Sequence, residues 1–188
     1  MKRLFIVHGW GGNPNEAWLP WLKTEMEKQG WQVFAPEMPE TDEPKIEPWV
    51  ARLKETVGEL NEETYFVGHS IGCSTIMHYL ENAPAYKKIG GFVFVAPWFN
   101  LPNLGTDEEK EIAKPWLETP INFEKVLSHG GSYVALFSDD DPDVPLSDKD
   151  LFAERLHTAI QVLHNKGHFS PDANVIELPE ARDALLSF

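Results

Sequence analysis

Short unbroken apolar runs alternate along the chain with stretches in which apolar residues recur every three to four positions. Leu4–Val7, Trp31–Ala35, Thr64–Val67, Gly91–Ala96, Tyr133–Phe137 and Thr158–Leu163 read as strands, Leu4–Val7 and Gly91–Ala96 as buried ones. Between them, helical spacing runs over about 16–29, 47–60, 71–81, 122–129, 147–156 and 172–186. Gly30 closes the first of these helices and Pro84 follows the third. Pro97, Pro102, Pro115 and Pro120 break the pattern, and residues 97–120 read as an irregular polar segment carrying Trp98, Phe99 and Trp116. Strand–helix alternation with strands apolar on both faces predicts an α/β fold. It is a three-layer, doubly wound, mostly parallel sheet covered by helices on each side. With no repeat, low-complexity tract or linker, residues 1–188 read as one domain.

Composition narrows the partners. The chain has 188 residues and a formal net charge of −14, from 16 basic and 30 acidic residues. A nucleic-acid binder needs the opposite balance to neutralise phosphates, and an anionic membrane surface is disfavoured for the same reason. No apolar run approaches the ~20 residues of a membrane span, so no membrane insertion is expected. The apolar stretch after Met1-Lys2-Arg3 stops at Val7 without a small-residue cleavage site, so the N-terminus does not read as a signal peptide. A lone Cys73 cannot form an internal disulfide. Together these point to a cytoplasmic protein.

In doubly wound sheets, sites form at the carboxyl ends of the strands, so the loops after each strand hold the candidate chemistry. Gly68-His69-Ser70-Ile71-Gly72 lies between a strand and a helix. A G-x-S-x-G turn there strains the serine backbone, and its glycines let strand and helix approach. The hydroxyl then stands at the helix N-terminus, where N–H groups can stabilise an oxyanion. The alternative role for Ser70 is a helix N-cap. A serine nucleophile needs a base. Of the seven histidines, His168 lies in the loop between the last strand and the last helix, where such a fold supplies its base; His164, at the strand end, is the nearest rival.

The base needs an orienting carboxylate, and Asp139, Asp140, Asp141 and Asp143 all follow the fifth strand. Residue type alone does not choose among them. Their spacing also brushes a calcium loop, but Val144 stands where that loop needs glycine and Asp150 where it needs glutamate. The order serine, aspartate, histidine is that of hydrolases on an α/β sheet. His8-Gly9-Trp10-Gly11-Gly12 after the first strand can turn an N–H inward, with His8 packed beneath. A dinucleotide loop is excluded because Pro14 replaces its third glycine.

With these residues in place, the chain resembles the retinoblastoma-binding-protein-nine and YdeN-like family of small single-domain serine hydrolases. The likeness runs through Leu4–Gly9, Trp18-Leu19-Pro20-Trp21-Leu22, Gly68–Cys73, Gly90–Ala96, Asp140–Pro145 and Gly167-His168-Phe169. It implies a compact α/β-hydrolase fold without a large lid, Ser70 as nucleophile and His168 as base. It also implies Asp141 as the acid, four residues before the proline of x-Val-Pro, and the Trp10 and Ile71 N–H groups as oxyanion donors. The L-x-C-x-E segment of the animal relative is absent, so its tumour-suppressor partner is not implied. Trp98, Phe99 and Trp116 either line an acyl or aromatic pocket or cover the edge of the sheet. The expected activity is hydrolysis of a small ester-like substrate through an acyl-enzyme, with no cofactor and no metal. The competing class is an interaction protein that keeps the fold with an idle serine.

Overall fold

The computed structural model describes residues 1–188. Six strands, β1 (Arg3–Val7), β2 (Gln32–Phe34), β3 (Thr64–His69), β4 (Gly91–Val95), β5 (Ser132–Ser138) and β6 (Ala159–Leu163), form one sheet in the order β2-β1-β3-β4-β5-β6. Every pairing is parallel, for example Val7 opposite Gly68 and Val95 opposite Leu136. The helices are α1 (Leu19–Lys28), α2 (Ile46–Val57), α3 (Ile71–Asn82), α4 (Asp107–Glu118), α5 (Phe123–Ser128), α6 (Asp148–Leu156) and α7 (Pro179–Ser187).

The apolar runs alternate faces at the strand period of two. Phe5, Val7, Phe66, Phe92, Phe94 and Phe137 point to the side covered by α2–α6. Leu4, Ile6, Val67, Val93, Val95 and Leu136 point to the side covered by α1 and α7. The first core is much richer in aromatic rings than the second, which is mainly aliphatic. The inner strands β1, β3, β4 and β5 are buried on both faces, whereas the edge strand β6 is largely exposed.

Several boundaries differ from the sequence reading, α1 for one starting at Leu19 and not near 16, and three others have a visible cause. Residues 97–120 contain a helix, α4, although Pro115 lies inside it. Thr106 and Glu109 form a reciprocal capping box at its start, and Ala113 and Trp116 are buried beneath it, which offsets the hydrogen bond that proline removes. The last helix is two pieces: a 3₁₀ turn at Pro171–Ala173 and α7, with an irregular stretch between. Finally, α2 stops at Val57 because Gly58 turns to a φ of +63°.

The strand order matters for the site. From β1 the chain steps to β2 on one side, then returns to place β3 on the other. The loops after β1 and β3 therefore diverge, opening a crevice at the carboxyl edge of the sheet.

Candidate active site

Ser70 is the single residue between β3 and α3, with φ +52° and ψ −121°, a conformation strained for a side-chain-bearing residue. The surroundings hold it there. Its N–H donates to Val95 O at 2.9 Å and its carbonyl accepts from Cys73 N at 2.9 Å. A Cβ on Gly68 would stand 2.6 Å from Cys73 N, and one on Gly72 would collide with the Val7 carbonyl. Both glycines are there for close approach of backbone to backbone. The Cys73 thiol lies buried with Sγ 3.0 Å from the Gly68 carbonyl, and burial pushes its pKa up, so it is an inert packing group.

Ser70 opens into a cavity of about 520 Å³ also lined by Gly9, Trp10, Ile71, Trp98 and His168. The Ser70 hydroxyl accepts from Trp98 Nε1 at 3.2 Å and makes no direct hydrogen bond with the imidazole.

The loops after β5 and β6 are joined residue by residue. His168 Nδ1 donates to Asp141 Oδ2 at 2.9 Å, and the carboxylate is only 2% exposed. Asp141 Oδ1 accepts from the N–H groups of Asp143 and Val144 at 2.9 and 3.0 Å. Asp140 accepts from Gly167 N at 2.8 Å and from Ser138 Oγ, which itself accepts from Lys166 N. Asp139 pairs with His164, whose pKa it raises while its own falls, and accepts from Asn165 N. Each consecutive aspartate thus holds a different part of the histidine loop, and only Asp141 hydrogen-bonds the His168 ring, with Asp143 Oδ2 4.0 Å from Nδ1. His164 faces solvent beside Asp139 and does not line the cavity. Asp141, Asp143 and His168 bring three ligand-type atoms within 4.8 Å of one another. Both Asp141 oxygens are already engaged, so a cation there would have to displace hydrogen bonds of this pair.

Two further residues grip the His168 loop by its backbone. His69 Nε2 donates to His168 O at 2.8 Å, and Trp18 Nε1 donates to Phe169 O at 3.1 Å, with the Trp18 and His69 rings packed edge to face. Burial, reinforced by the neighbouring His168 ring, pushes the His69 pKa down to about 3, so it is the neutral Nε2–H tautomer. Sequence reasoning assigned neither residue a task. Their signals were the first x of G-x-S-x-G and the first tryptophan of Trp-x-x-Trp.

Under the loop after β1, His8 Nε2 accepts from Met38 N at 3.1 Å, which leaves Nδ1–H to donate to Gly9 O at 2.9 Å. Gly12 N also donates to that oxygen. In a trans peptide the carbonyl and the following N–H point in opposite directions, so anchoring Gly9 O turns the Trp10 N–H away from His8.

Of the three aromatic candidates for a substrate pocket, only Trp98 lines the cavity. Phe99 stacks on Phe152 with ring centroids 4.2 Å apart, and Trp116 is buried against Trp49 with its indole N–H on Pro44 O. The expectation for Phe99 and Trp116 is therefore corrected. Both rings fall on the inward face of their segments, where burial against helices outweighs exposure in the crevice.

The family model for serine hydrolases matches residues 4–187. The chain belongs to the serine hydrolase family. This hydrolase is 29% identical over 188 residues to YdeN of Bacillus subtilis, covering 100% of the chain and 96% of YdeN. It is 28% identical over 167 residues to the serine hydrolase RBBP9 of Rattus norvegicus, covering 87% of the chain and 85% of RBBP9. The crystal structure of the B. subtilis ydeN product superposes with a TM-score of 0.91 at 28% identity, over 100% of this chain and 98% of that one. Est1E of Butyrivibrio proteoclasticus, solved with ferulic acid bound, has a TM-score of 0.75 at 14% identity, over 100% and 88% of the two chains. At that identity the likeness establishes the α/β-hydrolase fold alone.

Proposed function

We propose that this serine hydrolase cleaves a small neutral ester or related acyl compound through Ser70, His168 and Asp141. One observation carries the reading. The strained Ser70 turn and an imidazole whose Nδ1–H is fixed on a buried carboxylate open into the same cavity.

With Nδ1–H donated to Asp141, the Nε2 lone pair of the neutral His168 ring is free to take the Ser70 proton. The hydroxyl turns toward that lone pair when substrate fills the cavity, since apo geometry in such sites is commonly looser than the reacting geometry. As the proton leaves, Oγ bonds to the acyl carbon and the carbonyl electrons move to oxygen. The Ile71 N–H at the start of α3 and the Trp10 N–H stabilise that oxyanion. His168 returns the proton to the leaving group. Water then repeats the sequence and frees the acid. Neither metal nor cofactor takes part, so dialysis against EDTA leaves turnover unchanged. The buried, unpaired Cys73 suits the cytoplasmic setting we assign.

Hydrolysis of a short-chain p-nitrophenyl ester by the wild type and by Ser70→Ala tests the proposal. Ser70→Ala is expected to be folded and inactive, and a fluorophosphonate probe should label Ser70 in the wild type only. Equal turnover by the two proteins would refute it, and an unlabelled wild type would favour the non-catalytic class.

A further inference from the structure

The hydrogen bond on the Ser70 oxygen comes from a residue outside the triad. Trp98 Nε1–H donates to Oγ at 3.2 Å in a position only 3% exposed. That indole is not held by packing alone. Ala96, at the end of β4, takes a φ of +46° while its N–H donates to Leu136 O, so the chain turns sharply into Pro97 and Trp98. The buried carboxylate of Asp148, first residue of α6, then accepts from the N–H groups of Phe99 and Asn100 at 2.6 and 2.9 Å and from the Asn100 side chain at 2.7 Å. A wholly buried carboxylate is costly unless its oxygens are satisfied, and here three donors from one turn satisfy them. The turn that carries Trp98 is therefore rigid, and its indole is aimed at the oxygen that reacts.

We infer that Trp98 is a further catalytic residue, a hydrogen-bond donor to the Ser70 oxygen that acts chiefly when the acyl-enzyme breaks down. This rests on Ser70 being the nucleophile.

In the free enzyme Oγ is a hydroxyl oxygen, a good acceptor, and the indole N–H already bonds to it. During acylation Oγ passes its proton to His168 Nε2 and its electron pair to the acyl carbon. The indole helps the proton leave but draws density from the attacking pair, so the two effects oppose each other. In the acyl-enzyme Oγ is the bridging oxygen of an ester, a poor acceptor. When water has given a proton to His168 and its oxygen has bonded to the acyl carbon, the C–Oγ bond breaks. Its electron pair stays on Oγ, which then takes the proton from His168. Measured from the ground state of each step, Oγ improves most as an acceptor in this one, from ester oxygen to departing alkoxide, so the indole N–H gains most there. The indole itself transfers no proton.

Pre-steady-state hydrolysis of p-nitrophenyl acetate by wild type and Trp98→Phe separates the two steps. Losing one neutral hydrogen bond in the transition state predicts steady-state turnover about tenfold lower, with the burst rate changed less than about threefold. The acyl-enzyme then accumulates to a larger burst amplitude. A merely structural role would lower both steps together or neither, and either result overturns the inference. A second measurement does not depend on how Trp98→Phe folds. In ¹⁵N-labelled Ser70→Ala, one of the seven indole N–H resonances should lose its hydrogen-bonded shift and exchange faster than in the wild type. Seven unmoved indole signals overturn the inference as well. Failure of the Ser70 reading looks different: the wild type itself would then show neither burst nor probe labelling.

Discussion

His69 Nε2 donates to the main-chain oxygen of His168 at 2.8 Å, so the residue before the serine anchors the loop that carries the histidine. Both ends of the pair are thereby referenced to one strand end, β3, and not to two independently moving loops. His69→Leu removes the donor without removing the bulk. It should lower kcat by about tenfold or more with little change in KM, while His69→Gln, which keeps an N–H in reach, recovers part of the loss. An unchanged kcat in His69→Leu would mean that the loop is held adequately by Asp140 and Trp18.

The same histidine predicts an acid limit to stability. Burial depresses its pKa from 6.5 to about 3, so between these values the unfolded chain binds a proton there that the folded chain does not. Its stabilising contribution is complete above pH 6.5 and is lost progressively as the pH falls toward 3. His8, whose pKa burial also lowers, adds to the trend. The drop in Tm between pH 7 and pH 5 should therefore be smaller in His69→Gln than in the wild type. A parallel drop in both would assign the acid limit to other groups.

The three consecutive aspartates, Asp139 to Asp141, should separate by assay. Asp141→Asn leaves His168 without its carboxylate and should lower kcat/KM by up to about 10⁴-fold. Asp140→Asn weakens a grip on the Gly167 backbone and should lower Tm slightly with a small loss of activity. Asp139→Asn, at an exposed pair with His164, should do less to both. Equal activity losses in all three would contradict the assignment of Asp141.

Strain at Ser70 has a thermodynamic signature. Glycine takes a φ of +52° with ψ −121° far more easily than serine does, so Ser70→Gly should abolish activity and stabilise the fold by about 1 kcal/mol, read as a raised Tm. A lower Tm would mean that the side chain's bond to Trp98 outweighs the backbone strain.

Charge around the cavity bears on the substrate. Glu16, Glu109, Asp143 and Asp172 line it, with no lysine or arginine among the lining residues. An anionic ester meets several like charges and no counter-charge. Its kcat/KM should fall about fivefold below that of a neutral ester of similar size at low salt, and the gap should narrow as ionic strength rises. Testing p-nitrophenyl acetate against the p-nitrophenyl half-ester of succinate would check this; a salt-independent ratio would remove electrostatics as the cause.

The apolar runs by themselves determined the six strands and most of the helices that cover them. The inner strands, buried on both faces, must be apolar at consecutive positions, whereas the exposed edge strand β6 carries Gln161 and a weaker pattern. Gly68, Ser70 and Gly72 were equally legible, because one turn geometry dictates all three within five residues. Residue type left four aspartates in five positions open and only the family resemblance pointed to Asp141; the contact itself comes from how the β5 and β6 loops dock. Tertiary structure alone decided that Trp98 touches the serine oxygen while Trp116 sinks into the core and Phe99 packs against it. The same applies to α4, where a capping box and two buried side chains outweigh the proline that reads as a break. Short-range sterics leave a trace in neighbouring residues; contacts between residues 20 to 150 apart exist only after the sheet has brought their loops to one edge.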